Sequence, residues 1–149
     1  MHRCLYSERF KQIRHQESEA QEMQRIKFIV SYDGTDYCGW QRQKGHKPSI
    51  QKTLEKALAA VFKQEISVSA SGRTDAGVHA LAQVCHFDTD RPLPKDFCWA
   101  LRAYLPESIS IKKAFLAPSE FHSTLSSVRK TYQYWVWNDL RSTALLSRY

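Results

Sequence analysis

Every second residue is apolar from Arg25 to Tyr32, which is the periodicity of a half-buried β-strand. The pair Asp33-Gly34 follows with turn chemistry and predicts the end of that strand. From Ser49 onwards the apolar positions fall three and four residues apart, which predicts an amphipathic helix that begins after Pro48. The first half of the chain therefore predicts a strand followed by a helix.

The pattern beyond residue 64 adds four strands and a second helix. Alternation predicts strands at 66–70, 80–88 and 109–115, and an apolar stripe that starts at Phe97 predicts a helix that Pro106 ends. The segment Val128 to Trp137 is rich in β-branched and aromatic residues and predicts a long last strand. The order βαββαββ fits an α+β, ferredoxin-like antiparallel sheet with both helices on one face and the other face partly open.

Composition favours a single soluble domain. The 149 residues are 42% hydrophobic and 25% charged, and no apolar run approaches the ~20 residues that a membrane-spanning helix needs. Residues 1–24 have scattered apolar positions and predict a mobile N-terminal arm, so the domain is expected at residues 25–149. The four cysteines lack zinc-site spacing and are interpreted as reduced thiols of a cytoplasmic protein, with no metal site.

The net charge of +7 favours a polyanionic partner, although a solvated basic surface without any ligand would give the same number. An open sheet face with basic and aromatic residues is how several RNA-binding modules work. Such a face also packs on a second domain or on a second copy of the chain. Charge and the open face leave all of these interpretations open: a solvated surface, an RNA ligand, a second domain or a homo-oligomer.

The densest cluster of reactive residue types lies between the second and third predicted strands, in the run SGRTDAGVHA (71–80). Asp75 has no second acid nearby, which argues against a two-carboxylate glycosidase and against a divalent metal site. A carboxylate in this position can act as a nucleophile or a base. The alternative is a plain turn, in which Asp75 accepts a hydrogen bond from its own backbone and pairs with Arg73.

Several motifs resemble the tRNA pseudouridine synthase A family. The run GRTDAGVHA (72–80) resembles the signature loop of that family, and YDGTDYCGWQRQ (32–43) resembles its first-strand motif. Phe121-His122 and the run KTYQY (130–134) resemble a later segment of the family in the same order. The likeness extends from Arg25 to the end of the chain.

The resemblance implies an isomerase that converts uridine to pseudouridine in the tRNA anticodon stem-loop without a cofactor. Asp75 matches the position of the catalytic aspartate, Arg73 that of the residue that flips the base, and Tyr132 that of the tyrosine that stacks on it. We expect Arg73 also to contact RNA. Alternatives of another kind remain for two of these residues: Arg73 as a structural ion pair and Tyr132 as an ordinary strand aromatic.

The resemblance also implies RNA contacts and two departures from the family pattern. The expected RNA-binding residues are Phe121, His122, Arg129 and Lys130. Thr124 stands where the family has an arginine, and we expect the chain to carry the catalytic N-terminal half without the family's second domain. These departures favour a competing interpretation, a non-catalytic or vestigial RNA-binding protein, whereas the intact set of Arg73, Asp75 and Tyr132 favours an enzyme. Because the family covers the open sheet face with its second domain, we expect this chain to form a homo-oligomer.

Overall fold

A computed structural model of the protein describes residues 22–43, 47–139 and 141. The elements follow one another in the order strand, helix, two strands, helix, strand. They are β1 (Gln24–Tyr32), α1 (Ile50–Phe62), β2 (Ser69–Ala70), β3 (Ala80–Thr89), α2 (Phe97–Arg102) and β4 (Ile109–Ala117). The interpretation of residues 1–24 as an arm falls almost wholly outside the described residues, and Gln24 already belongs to β1.

The four strands form one antiparallel sheet in the order β2-β3-β1-β4. Strand β3 lies between β1 and β2, and β1 lies between β3 and β4, so each helix connects two strands that a third one separates. This is the split βαβ arrangement taken twice. The predicted α+β, ferredoxin-like class is confirmed.

The core lies between the sheet and the two helices. Alternate residues of β1 point into it, as the periodicity predicts, and Phe28 is fully buried. Phe87 of β3 makes edge contacts with Phe62 of α1 and packs against Phe97 of α2, with ring centroids 5.3 and 6.2 Å apart. Aromatic burial of this size contributes a large part of the stability of a small domain.

Helix α1 begins where the sequence predicts it. The side chain of Ser49 caps the first turn by accepting a hydrogen bond from the backbone N–H of Lys52 at 3.2 Å. The opposite end is closed by Lys63 in the left-handed conformation, with φ of 55°. Strand β2 is shorter than predicted, because only Ser69 and Ala70 pair with β3.

The sheet face opposite the helices is partly covered by residues 118–127, here called the crossing segment. Arg25 of β1 donates hydrogen bonds to the backbone oxygens of Ser119 and Phe121. His86 of β3 contacts Ser123, and Thr124 donates to Ala70 O of β2 at 2.8 Å. The segment therefore runs across three strands and occupies part of the face that the sequence left open.

The predicted last strand, Val128 to Trp137, is wrong. These residues form no ladder with the described part of the chain, and Val128, Tyr134 and Trp135 are at least 89% exposed. Strand propensity reflects packing against neighbours more than a backbone preference, so a β-rich composition without a paired edge gives no strand. The element order is βαββαβ. Neither described helix is long and apolar enough to cross a membrane.

Candidate active site

Asp75 lies in the loop 71–79, which connects β2 to β3 and is here called the Asp75 loop. The side chains of Asp75 and Arg73 are both exposed. Within the described ranges, neither makes a side-chain hydrogen bond or an ion pair. The plain-turn alternative predicted both of those contacts for Asp75, so the structure lacks the bonds that would give this carboxylate a purely structural role.

The backbone around Asp75 is nevertheless held firmly by the segment that follows β1. Trp40 N donates to Thr74 O at 2.9 Å, and the Tyr32 phenol lies 2.8 Å from Thr74 Oγ1. Tyr32 is only 4% exposed, and this burial raises the pKa of its phenol. Tyr32 and Trp40 also pack against each other, with ring centroids 6.1 Å apart. Two buried aromatic residues therefore fix the residue that precedes Asp75.

Two glycines allow the close approach of this segment to the Asp75 loop. A Cβ on Gly34 would lie 2.1 Å from Val78 O, and a Cβ on Gly39 would lie 2.6 Å from Thr74 O. Gly39 also has φ of 102°, a backbone conformation that residues with a side chain rarely adopt. Residues 33–40 and the Asp75 loop are therefore packed backbone against backbone.

The start of β3 supports the other side of the loop. Gln83 Nε2 donates to Gly72 O at 2.7 Å, and Ser71 N donates to Val84 O at 2.8 Å. Inside the loop, Val78 N donates to Asp75 O at 3.2 Å and closes a turn. These bonds use the backbone of the loop and leave its reactive side chains exposed.

His79 links the end of the Asp75 loop to the turn after β1. Its Nδ1 lies 3.1 Å from Asp33 Oδ1 and 3.2 Å from the backbone N of Gly34. A single ring nitrogen serves only one of these partners at a time, as acceptor from Gly34 or as donor to Asp33. In either case His79 reinforces the contact between the two loops.

The predicted RNA-contacting residues lie in different surroundings. Lys130 reaches the Asp75 loop, because a Cβ on Gly72 would lie 3.3 Å from Lys130 Nζ. Arg129 is exposed, and Tyr132 is 70% exposed in the unpaired segment 128–137. The structure therefore brings Lys130 to the loop that carries Asp75 and leaves Tyr132 exposed on a segment that pairs with no described strand.

Phe121 and His122 are half-buried in the crossing segment. Both rings pack against the imidazole of His86, at 6.0 and 4.8 Å between centroids, and Lys27 Nζ lies 5.1 Å above the Phe121 ring. Their observed contacts anchor the crossing segment on the sheet. Contact of Phe121 and His122 with RNA stays a prediction.

Sequence reasoning assigned no role to the residues that hold the Asp75 loop. Tyr32, Gly34, Gly39 and Trp40 all belong to the motif YDGTDYCGWQRQ, so the signal was present in the resemblance, but their contact with the loop is a tertiary feature. Gln83 also lies in a stretch, Gln83-Val84, that resembles the family, and its bond to Gly72 O is likewise a tertiary feature. The described residues contain no group of three or more His, Cys, Asp or Glu that could hold a metal ion.

This geometry presents an exposed carboxylate on a rigid loop beside basic side chains. A carboxylate held in place without an internal partner can attack or accept a proton from a bound substrate. Preorganisation of its backbone lowers the entropic cost of reaching a productive arrangement. Arg73 and Lys130 supply positive charge on the same loop surface, which suits an anionic substrate.

Comparison with known proteins gives a consistent family. A family model described as "tRNA pseudouridine synthase" matches residues 28–124. A protein named tRNA pseudouridine synthase A from Bdellovibrio bacteriovorus is 52% identical over 130 residues, which cover 84% of this chain and 50% of that protein. The protein of the same name from Maridesulfovibrio salexigens is 48% identical over 117 residues, covering 77% of this chain and 42% of that protein.

This chain thus spans about half the length of the curated relatives it matches. The region matched by the family model contains both helices, the Asp75 loop and all of the sheet except the first four residues of β1. Together with the aspartate-bearing loop and the segment that clamps it, these matches show that the chain belongs to the tRNA pseudouridine synthase family.

Proposed function

We propose that the protein converts uridine to pseudouridine in the anticodon stem-loop of tRNA, with Asp75 as the catalytic carboxylate. The observation that carries the proposal is the exposed Asp75 side chain, without a partner among the described residues, on a loop whose backbone is bonded at Thr74. The names of the relatives support the substrate class.

The reaction moves one bond within a nucleotide. The bond between N1 of uracil and C1′ of ribose breaks, and a bond between C5 and C1′ forms. C5 loses its hydrogen, and N1 ends with one. No redox change occurs, so no cofactor is required. A carboxylate near the sugar or the base serves as nucleophile or base, and the rigid loop keeps it in place while the base rotates.

The target base must leave the helical stack before a side chain can reach it, at a cost of a few kcal/mol. In the proposal Arg73 takes up the vacated position, because its planar guanidinium can stack on bases and contact phosphate. Tyr132 stacks on the flipped uracil. Tyr132 is 70% exposed, so its ring is accessible to a base.

RNA binding is supported by the charge of +7 and by the position of Lys130 beside the Asp75 loop. Arg129, Phe121 and His122 are proposed as further RNA contacts. Each phosphate that is neutralised contributes about 0.7 to 0.9 to the slope of log K against log salt, so binding should weaken steeply as salt rises. The proposal has the protein act on tRNA in the cytoplasm.

A second candidate function is RNA binding without catalysis. Thr124 favours it, because this residue replaces the family's arginine and its hydroxyl is bonded to Ala70 O, so one RNA contact is lost. The exposed Asp75 favours the enzyme, because mere binding of a polyanion gains nothing from a carboxylate at the contact surface.

The experiment measures tritium released from an anticodon stem-loop that carries uridine labelled at C5. Wild-type chain should release tritium, and Asp75→Asn should abolish release with RNA affinity nearly unchanged. Asp96→Asn is the matched control, because Asp96 is exposed and makes no side-chain capping bond. Arg73→Ala should lower both release and affinity, since it removes a phosphate contact together with base flipping.

Full tritium release by Asp75→Asn would refute the catalytic assignment. A wild-type chain that binds the stem-loop but releases no tritium would support the second candidate in place of the first. RNA binding that does not depend on salt, or no RNA binding at all, would rule out both candidate functions.

A further inference from the structure

The outer surface of the helix layer carries a shallow groove of about 450 Å³ at the start of α1. Three lysines line it, Lys47, Lys52 and Lys56, and Tyr104 forms part of its wall. All four side chains are exposed, Tyr104 to 53%. This surface is separate from the Asp75 loop and from the sheet face that carries the crossing segment.

The lysines of this groove have no acidic neighbour to neutralise them. No acidic residue lines the groove, and none of the three lysines forms an ion pair with the described part of the chain. The one acid of α1, Glu55, is 9% exposed and accepts a hydrogen bond from Val68 N at 3.1 Å. The groove is therefore a concave surface of one charge sign.

The spacing of two lysines places like charges side by side on α1, which weakens the helix slightly. Lys52 and Lys56 are four residues apart and lie on the same side of α1, where like charges destabilise a helix. The hydroxyls nearby are already used, because Ser49 Oγ caps Lys52 N and Thr53 Oγ1 donates to Ser49 O. An anion in the groove would relieve the repulsion, and the lysines are the groups that would bind it.

Two backbone hydrogen bonds tie the groove to the candidate active site. Gln51 N, next to Lys52, donates to Trp40 O at 3.0 Å, and Trp40 N donates to Thr74 O at 2.9 Å. The first turn of α1 and the residue before Asp75 are thus attached to the same residue. The groove and the Asp75 loop therefore share one backbone support.

We propose that the groove formed by Lys47, Lys52, Lys56 and Tyr104 binds the sugar-phosphate backbone of the RNA substrate outside the nucleotide that reacts. The proposal rests on the proposed function for the identity of the RNA. Lysines at this spacing neutralise phosphates of a strand without reading its sequence. Tyr104 offers an aromatic face on which an unpaired base stacks. The groove therefore contributes affinity and register.

The test measures fluorescence anisotropy of a labelled anticodon stem-loop across a salt series. Lys52→Gln/Lys56→Gln should bind roughly tenfold more weakly at low salt, with a salt slope smaller by about 1.5, because two phosphate contacts are lost. The matched control, Lys95→Gln/Lys112→Gln, removes two exposed charges that do not line the groove and should change affinity less than about threefold. Tyr104→Leu should weaken binding with the slope unchanged, since stacking releases no counterions.

Three outcomes would overturn the proposal. The first is equal weakening by the groove variant and its control, which would show a general effect of net charge. The second is displacement of the RNA by polyglutamate as readily as by unlabelled RNA, which would make the groove a site for acidic protein segments. The third is unchanged binding by the groove variant, with native far-ultraviolet circular dichroism establishing that each variant is folded.

The failure of this proposal and that of the proposed function give different results. If the groove variant binds like wild type while Asp75→Asn loses tritium release, the groove inference fails and the catalytic assignment stands. If the groove variant binds the stem-loop weakly but the wild type releases no tritium, the groove inference is supported and the proposed enzymatic function is refuted.

Discussion

The phenol of Tyr32 lies 2.8 Å from the hydroxyl of Thr74, and this contact joins the buried end of β1 to the residue that precedes Asp75. The contact attaches an exposed loop to the ordered core. Because this hydrogen bond is not part of the pairing between strands, its structural role is to hold the Asp75 loop in place.

Removing this hydroxyl should slow catalysis more than it weakens RNA binding. Tyr32→Phe is expected to cost about 1 kcal/mol in the free energy of unfolding, the usual value of one hydrogen bond. The Asp75 loop should then exchange its amide hydrogens faster, Val78 N–H in particular, because its anchor at Thr74 is weakened. Hydrogen exchange and tritium release measure the two effects.

Tyr37→Phe is the control for that change. Tyr37 is 6% exposed, and its phenol lies 2.8 Å from Ser108 Oγ, so the same atom is removed from a buried hydrogen bond that does not involve the Asp75 loop. Equal slowing of tritium release by both variants would contradict a positioning role for Tyr32.

Gly39→Ala should destabilise the protein and displace the Asp75 loop. Its Cβ would lie 2.6 Å from Thr74 O, and the backbone has φ of 102°. We expect a loss of several kcal/mol in unfolding free energy, since strain of about 1 to 3 kcal/mol is joined by a backbone clash. Gly77→Ala separates these effects, because Gly77 has φ of 79° but no atom within 4 Å of an added Cβ. Chemical denaturation curves of equal midpoint for the two variants would exclude the clash.

Docking of the crossing segment should weaken in acid. Burial, followed by the charges of Arg25 and His122, lowers the pKa of His86, and its Nδ1 lies 3.2 Å from the Ser123 N–H as a neutral acceptor. Because the unfolded chain takes up the proton more readily, stability is fully present above the ordinary histidine pKa near 6.5. It is lost as the pH falls through the lower pKa of the folded state.

The measurement for His86 is the thermal midpoint at pH 7.5 and at pH 5.5. Wild type should lose more stability between the two values than His86→Gln, which cannot titrate. The neighbouring Asp88 has its own pKa lowered by the hydrogen bond from Arg25, so its contribution appears at lower pH. Equal losses in wild type and His86→Gln would remove His86 as the source.

The protein should self-associate through residues 128–137. Tyr134, Trp135 and Val136 are each at least 83% exposed, and contiguous apolar surface of this kind usually finds a partner. Sedimentation velocity at micromolar concentration should show a dimer or a larger species, and Trp135→Ser should shift it towards the monomer. A monomer for the wild-type chain at this concentration would rule the association out.

Periodicity predicted the elements whose burial is local. Strand β1 and helix α1 form where their patterns predict them. The apolar positions of each element, Phe28 and Leu54 among them, recur on the side that faces the core. The segment ending at Trp137 failed, since its composition is that of a strand but no described edge pairs with it. Composition cannot supply the partner that a strand requires.

The candidate site was predicted only in part for a related reason. Asp75 and Arg73 stand out in sequence because turn residues surround a reactive pair. The contacts that hold them involve Tyr32, more than forty positions earlier, and Gln83, whose amide bonds Gly72 O. Such contacts arise from the tertiary fold, and a single sequence carries no periodic signal for them.

Gly34 fits so closely against Val78 O that residues 33–40 and the Asp75 loop can be changed or transferred only together. Grafting the nine-residue aspartate loop onto another ferredoxin-like sheet would place Val78 O against a Cβ unless residue 34 came with it as glycine. A working transplant would therefore carry residues 32–40 together with 71–79. For the same reason, a larger side chain at the contact in either loop requires a compensating change in the other.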